Sequence, residues 1–230
     1  MPLLITALAI FVGTHFLMSH PLRAAMVSRL GEKGFSAVYS LVSLGSFAWA
    51  VMLFREVPTG EPLWPTGDLL WWLASVLMLI GSILFAGSFA GNPAMPRPDA
   101  AELAKAPARG VFAITRHPMM WGFASWGLVH ILASAQPRTI VLAIALIALA
   151  LGGSAGQDKK KAALMGDGWR DWCSRTSFLP FARQIAGKAS WASAWPGRSA
   201  LLIGTLIWIG ASWAHPILGG PVAGMFRWIG

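Results

Sequence analysis

Charge is scarce in this sequence: Asp, Glu, Lys and Arg make up 12% of its 230 residues, against 56% hydrophobic residues. With a mean hydropathy of +0.60, that balance excludes an ordinary soluble domain and leaves an integral membrane protein. Cysteine is almost absent. The single Cys173 excludes an internal disulfide and any multi-cysteine zinc or iron–sulfur site within one chain, so it reads as an inert loop thiol. Acid–base pairs make a weak showing too, since the 9 acidic residues are scattered. No basic stretch and no small-residue cleavage site accompany the first apolar run, which is therefore expected to be a retained helix and not a signal peptide. Tyrosine occurs once, whereas tryptophan occurs 13 times, as fits amphipathic indoles collecting at headgroup level.

What is present is a series of apolar runs. A hydrocarbon core of about 30 Å needs about 20 mostly apolar residues per helix. Six segments qualify, Pro2 to Ser19, Phe35 to Phe54, Leu69 to Gly91, Gly110 to Ser134, Thr139 to Gly156, and Ser199 to Leu218. The expected fold is all-α, a polytopic transmembrane helix bundle with an amphipathic cytoplasmic segment. Pro118 lacks a backbone donor and disfavours helix at His117, so the fourth span either starts there or kinks. Of the 18 basic residues, all but Arg55, Arg138 and Arg227 fall after the first, third and fifth spans. The positive-inside rule then places both termini outside, in the periplasm, and 157–198 in the cytoplasm. This confinement to connecting segments also argues against nucleic acid as the reason for the net charge of +9. Asp158 to Arg175 reads as an amphipathic helix through Ala162, Leu164, Met165, Trp169 and Trp172, expected on the inner membrane surface. Asn92 to Pro107 reads as a proline-rich loop, and the whole chain as one domain, 1–230.

Five histidines are the candidate chemistry. Counting about 1.5 Å per residue from the span ends puts His15 about 20 Å from the outer face and His130 about 18 Å from the inner face, so both are expected near mid-bilayer. Two imidazoles approaching one level from facing helices suit axial ligation of haem; they equally suit a proton relay, or hydrogen bonds to neighbours such as Thr14 and Ser125. Spacing leaves these open. Gly13, Gly122 and Gly127 permit close helix packing or make room for a planar group, and Trp126 shares a face with His130. His117 is turned about 220° from His130, and with Arg116 it either binds haem propionates or another anion, or marks the helix start. His20 and His215, each before proline, read as interfacial end residues. Asp158 either orients Arg116 or solvates its helix end.

Several stretches in this order resemble the NnrU family: Gly13-Thr14-His15, Leu30-Gly31-Glu32-Lys33, Tyr39-Ser40-Leu41, Ile114-Thr115-Arg116-His117-Pro118 through Gly122 to His130, Asp158, Gly168 to Trp172, Arg175-Thr176-Ser177, Pro180-Phe181 and His215-Pro216. That family includes the plant and cyanobacterial zeta-carotene isomerases. The resemblance implies a multi-pass helical membrane protein. For the isomerase branch it implies haem b held by two histidines, matching His15 and His130 here, with ligand exchange on reduction opening a site for a lipophilic polyene. The family name itself is associated with denitrification and nitrogen-oxide reduction. Lys159 to Lys161, and a start directly at the first span, depart from the isomerase-type pattern. They make a bacterial inner-membrane protein the expectation rather than an organelle-targeted one.

A second resemblance, to isoprenylcysteine and phospholipid methyltransferases, rests on Arg116-His117-Pro118, Asp158 and the Gly168-to-Trp172 stretch. Those enzymes carry paired glutamates where this chain has Asp158-Lys159, which puts their S-adenosylmethionine site in doubt here. The sequence therefore points to an isomerase-type or nitrogen-oxide membrane protein with haem b as cofactor. The resemblance implies His15 and His130 as the metal ligands, and Arg116 and His117 are the expected further cofactor-binding residues. Membrane lipid, a lipophilic polyene and a redox partner are the expected partners. A methyltransferase-like protein and a cofactor-free accessory factor are the alternatives.

Overall fold

The computed structural model describes residues 1–229. Helix α1 (Pro2–Ser19) is followed by α2 (Arg23–Glu56), α3 (Asp68–Gly87), the short α4 (Ala100–Leu103) and α5 (Val111–Ile114), α6 (Pro118–Ser134), and α7 (Pro137–Met165). Then come α8 (Asp167–Arg175), the short α9 (Ala182–Ile185), a 3-10 turn at Trp191–Ala194, α10 (Arg198–Ala214) and α11 (Phe226–Ile229). The long helices neighbour one another in the order α2, α1, α7, α6, α3, α10. Helices α1, α2, α3 and α7 are long and apolar enough to cross a membrane. The other two, α6 and α10, have 17 residues each, about 25 Å; α10 is a shorter apolar helix, while α6 carries a histidine within its apolar run.

The expected spans and the helices differ at four places, each with a local cause. Gly31 has φ 69° and ψ 170°, which breaks α2 into a short Arg23–Leu30 arm and the span proper, and Arg23 grips Glu32 across the break at 2.8 Å. The fourth span does not begin at Gly110. Its backbone is extended at Thr115, and Pro118 opens α6 at a position where no amide donor is needed. Helix α7 runs nine residues past Gly156, so Asp158 and the three lysines extend a spanning helix. The amphipathic helix divides at Gly166, whose φ of 55° reverses the chain into α8.

Helix α8 also buries its apolar face differently from expectation. Trp169 and Trp172 pack with Phe112, Val111, Ile114, Leu84 and Ala104 in a protein core at the basic end of the bundle, where Trp169 is 1% exposed. That end is capped by folded chain. Between spans, contact is close where side chains vanish: a Cβ on Gly122 would lie 2.8 Å from Gly81 O, and one on Gly204 2.5 Å from Ile83 Cα.

Candidate functional site: a membrane cavity beside two histidines

A cavity of about 630 Å³ lies between α1, α2, α6 and α7 and is mostly apolar. Phe16, Phe123 and Leu149 line its middle, Leu146 and Trp126 the end away from the basic loops, and Ser19, His20, Gln157 and Lys160 lie at the basic end. His15 faces into it, edge-on to Phe11 at 4.6 Å and to Tyr39 at 5.3 Å. Its Nδ1 sits 3.0 Å from Phe11 O. A carbonyl only accepts, so Nδ1 carries the proton and Nε2 keeps its lone pair.

His130 repeats that chemistry in a different setting. Nδ1 donates to Trp126 O at 2.7 Å, the ring stacks on the Trp126 indole at 3.9 Å, and the His215 ring lies 5.9 Å away. The Nδ1 of His215 donates in turn to Pro221 O at 2.7 Å. His130 does not line the cavity; Trp126 does. Helix α7 serves as a ruler for depth. Phe16 and His20 contact Gly152 and Gly156, while Gly127 contacts Ile147 and Ala143 O. His15 therefore lies near the level of residue 151 and His130 near 142, about 13 Å apart along the bundle. Counting from span ends had put them much closer, because it took α1 and α6 to start at the membrane faces.

Gly122 and Gly127 press directly against α3 and α7, which accounts for them as close-packing residues; Gly13 faces open space.

Arg116 and His117 lie together, some distance along the bundle from His130. Both grip Asp158: Arg116 Nε and Nη2 donate to Oδ2 at 2.9 and 2.6 Å, and His117 Nε2 donates to Oδ1 at 2.8 Å. The side chain of His117 is 1% exposed. A second clasp adjoins them, in which Thr115 Oγ1 and Trp121 Nε1 both donate to Phe178 O and the Phe178 ring lies under Arg116. Together these tie the extended step before α6 to α7 and to the segment after α8. The donors that a methyltransferase-like site would aim at S-adenosylmethionine are engaged with one another. Sequence reading offered this role for Asp158 as one of two and set His20 and Lys160 aside; the signal for them, a polar end to the cavity, exists only in three dimensions.

The family profile described as NnrU protein matches residues 3–222. The chain belongs to the NnrU family. Among curated proteins, this NnrU chain is similar to the chloroplastic 15-cis-zeta-carotene isomerase of Zea mays, 30% identical over 112 residues, 47% of this chain and 31% of that protein. The enzyme of the same name from Arabidopsis thaliana is 32% identical over 114 residues, 48% of this chain and 31% of its own length. The matched stretch thus spans about a third of either relative. No solved structure matches.

Proposed function

We propose that this NnrU-family chain is a membrane-embedded isomerase acting on a lipophilic polyene in the cavity between α1, α2, α6 and α7. The cavity carries the reading. A polyene offers no polar atoms, so it is held by packing against apolar walls such as Phe123, Leu146 and Leu149, and Nε2 of His15 faces the cavity beside Tyr39 without a hydrogen-bond partner. A nitrogen-oxide reaction needs no such long apolar chamber.

Haem b belongs to this reading, with His15 and His130 as its ligands; when bound it supplies a redox-switchable iron. The donor chemistry fits. Each imidazole is fixed by an Nδ1–H bond to its own helix and presents Nε2, the arrangement that orients a histidine ligand and raises its basicity. Helical side chains lean toward the helix N-terminus. Because α1 and α6 run oppositely, His15 leans away from the basic end and His130 toward it, which shortens the separation between the rings. Trp126 stands between His130 and the cavity, so its indole controls whether that imidazole reaches the chamber. A membrane redox partner, and an inner-membrane location with periplasmic termini, go with the same reading.

The test is direct. His15→Ala and His130→Ala should each insert in the membrane and each lose stoichiometric haem, and liposomes of the wild-type protein should convert a 15-cis polyene only when reduced. Haem retained by both variants, or no conversion at any potential, overturns the proposal.

A further inference from the structure

Six cations or histidines lie toward the basic end, and four are already engaged. Arg116 and His117 hold Asp158, Arg23 holds Glu32, and Lys161 Nζ donates to Met95 O at 2.9 Å. Of the polar lining, Ser19 Oγ donates to His15 O and Gln157 Nε2 to Ala94 O. Among the described residues, the Lys160 ammonium, the His20 ring, the Tyr39 hydroxyl and the Trp126 indole N–H line the cavity without a hydrogen-bond partner, and of these only Lys160 and His20 can carry positive charge. Arg23 and Glu32 both act on Lys160, with opposite sign, and they are paired with each other.

The two groups are brought together by a glycine. A Cβ on Gly156 would lie 2.2 Å from His20 Nε2, so the imidazole rests on α7 only because that position has no side chain. Its other neighbour is Phe16, with ring centroids 6.3 Å apart. Lys160 lies one turn beyond Gly156 on the same face of α7, so the ammonium and the imidazole share the cavity mouth. From there to Leu146, at the Trp126 end, α7 rises about 21 Å past an apolar wall.

We propose that this cavity binds an apolar ligand bearing a carboxylate, and that Lys160, assisted by His20, holds that carboxylate at the basic end. A haem propionate and the head of a fatty acid are two sources of the same chemistry. The propionate arm rests on the haem reading above, and the fatty-acid arm does not. The anchor is Lys160, because Arg116, the anion binder that the sequence suggests, is committed to Asp158.

The experiment titrates detergent-purified protein with two matched pairs: haem b and its dimethyl ester, followed by absorption, and cis-parinaric acid and its methyl ester, followed by fluorescence. At least one acid should bind wild type tenfold or more tightly than its own ester. Lys160→Gln should bring that acid down to the ester's affinity and leave the ester unchanged, whereas Lys160→Arg should keep the preference. Selectivity with haem names the propionate as the source. Selectivity with parinarate alone names a fatty acid and upholds this proposal, and the haem reading then fails only if neither haem nor its ester binds. Equal binding of acids and esters, an equal loss of both in Lys160→Gln, or no binding of any probe overturns the proposal.

Discussion

Removing the Asp158 carboxylate should destabilise the fold more than removing any exposed acid, and the structure sets the size of the effect. Three hydrogen bonds end on this group, two from Arg116 and one from His117, and the side chains of Arg116 and Asp158 are 15% and 17% exposed. Deleting one member of a fully buried pair costs about 3–5 kcal/mol, and residual water contact lowers that to about 2–4 kcal/mol here. Asp158→Ala strands the imidazole of His117 and loosens the extended step that positions α6. Asp158→Asn, which keeps one acceptor oxygen, should cost about half as much. The control is Asp167→Ala, whose side chain is 95% exposed and whose loss should stay within about 0.5 kcal/mol. Equilibrium unfolding in mixed micelles, read by tryptophan fluorescence, measures each. A double-mutant cycle with Arg116→Ala should return a coupling of about 1–3 kcal/mol. If Asp158→Ala matches Asp167→Ala, or the cycle gives no coupling, the clasp is not what fixes the start of α6.

Gly122→Ala and Gly204→Ala each drive a methyl into a neighbouring helix backbone and should cost about 1–3 kcal/mol in the same assay, while Gly13→Ala, facing open space, should cost nothing. Equal behaviour of the three would mean that the spans do not pack this closely. Cys173 lies outside the spans, and burial pushes its thiol up, so its thiolate fraction at any given pH is below that of a free thiol. Its maleimide labelling should therefore still be rising with pH above about 8.5, the ordinary thiol value, and a plateau below that value contradicts the burial.

The bundle was legible in the sequence because apolar run length carries most of the signal. The break before α6 was legible because Pro118 dictates it locally. The bend at Gly31 was not legible, because a glycine permits a positive φ without requiring it and the helix resumes at once on both sides. Long-range pairings were harder. Arg116 and Asp158 are 42 residues apart, so the sequence names both without fixing that each satisfies the other. The levels of His15 and His130 depended on where each helix enters the bundle, which neighbour contacts decide. The amphipathic stretch looked suited to a membrane surface, because periodicity shows that Trp169 and Trp172 share a face without showing that protein covers it. His20 read as an interfacial end residue and Lys160 as one of three lysines in a row, because a residue near a helix end looks interfacial until a cavity is seen to open beside it.

The central claim, haem held at His15 and His130 beside an apolar chamber, is tested most directly by the visible spectrum of the purified protein, oxidised and then reduced with dithionite, after expression with ample haem. A Soret band with sharp reduced α and β bands, the signature of six-coordinate low-spin iron, is the predicted result. A colourless protein that haem titration leaves unchanged would contradict it.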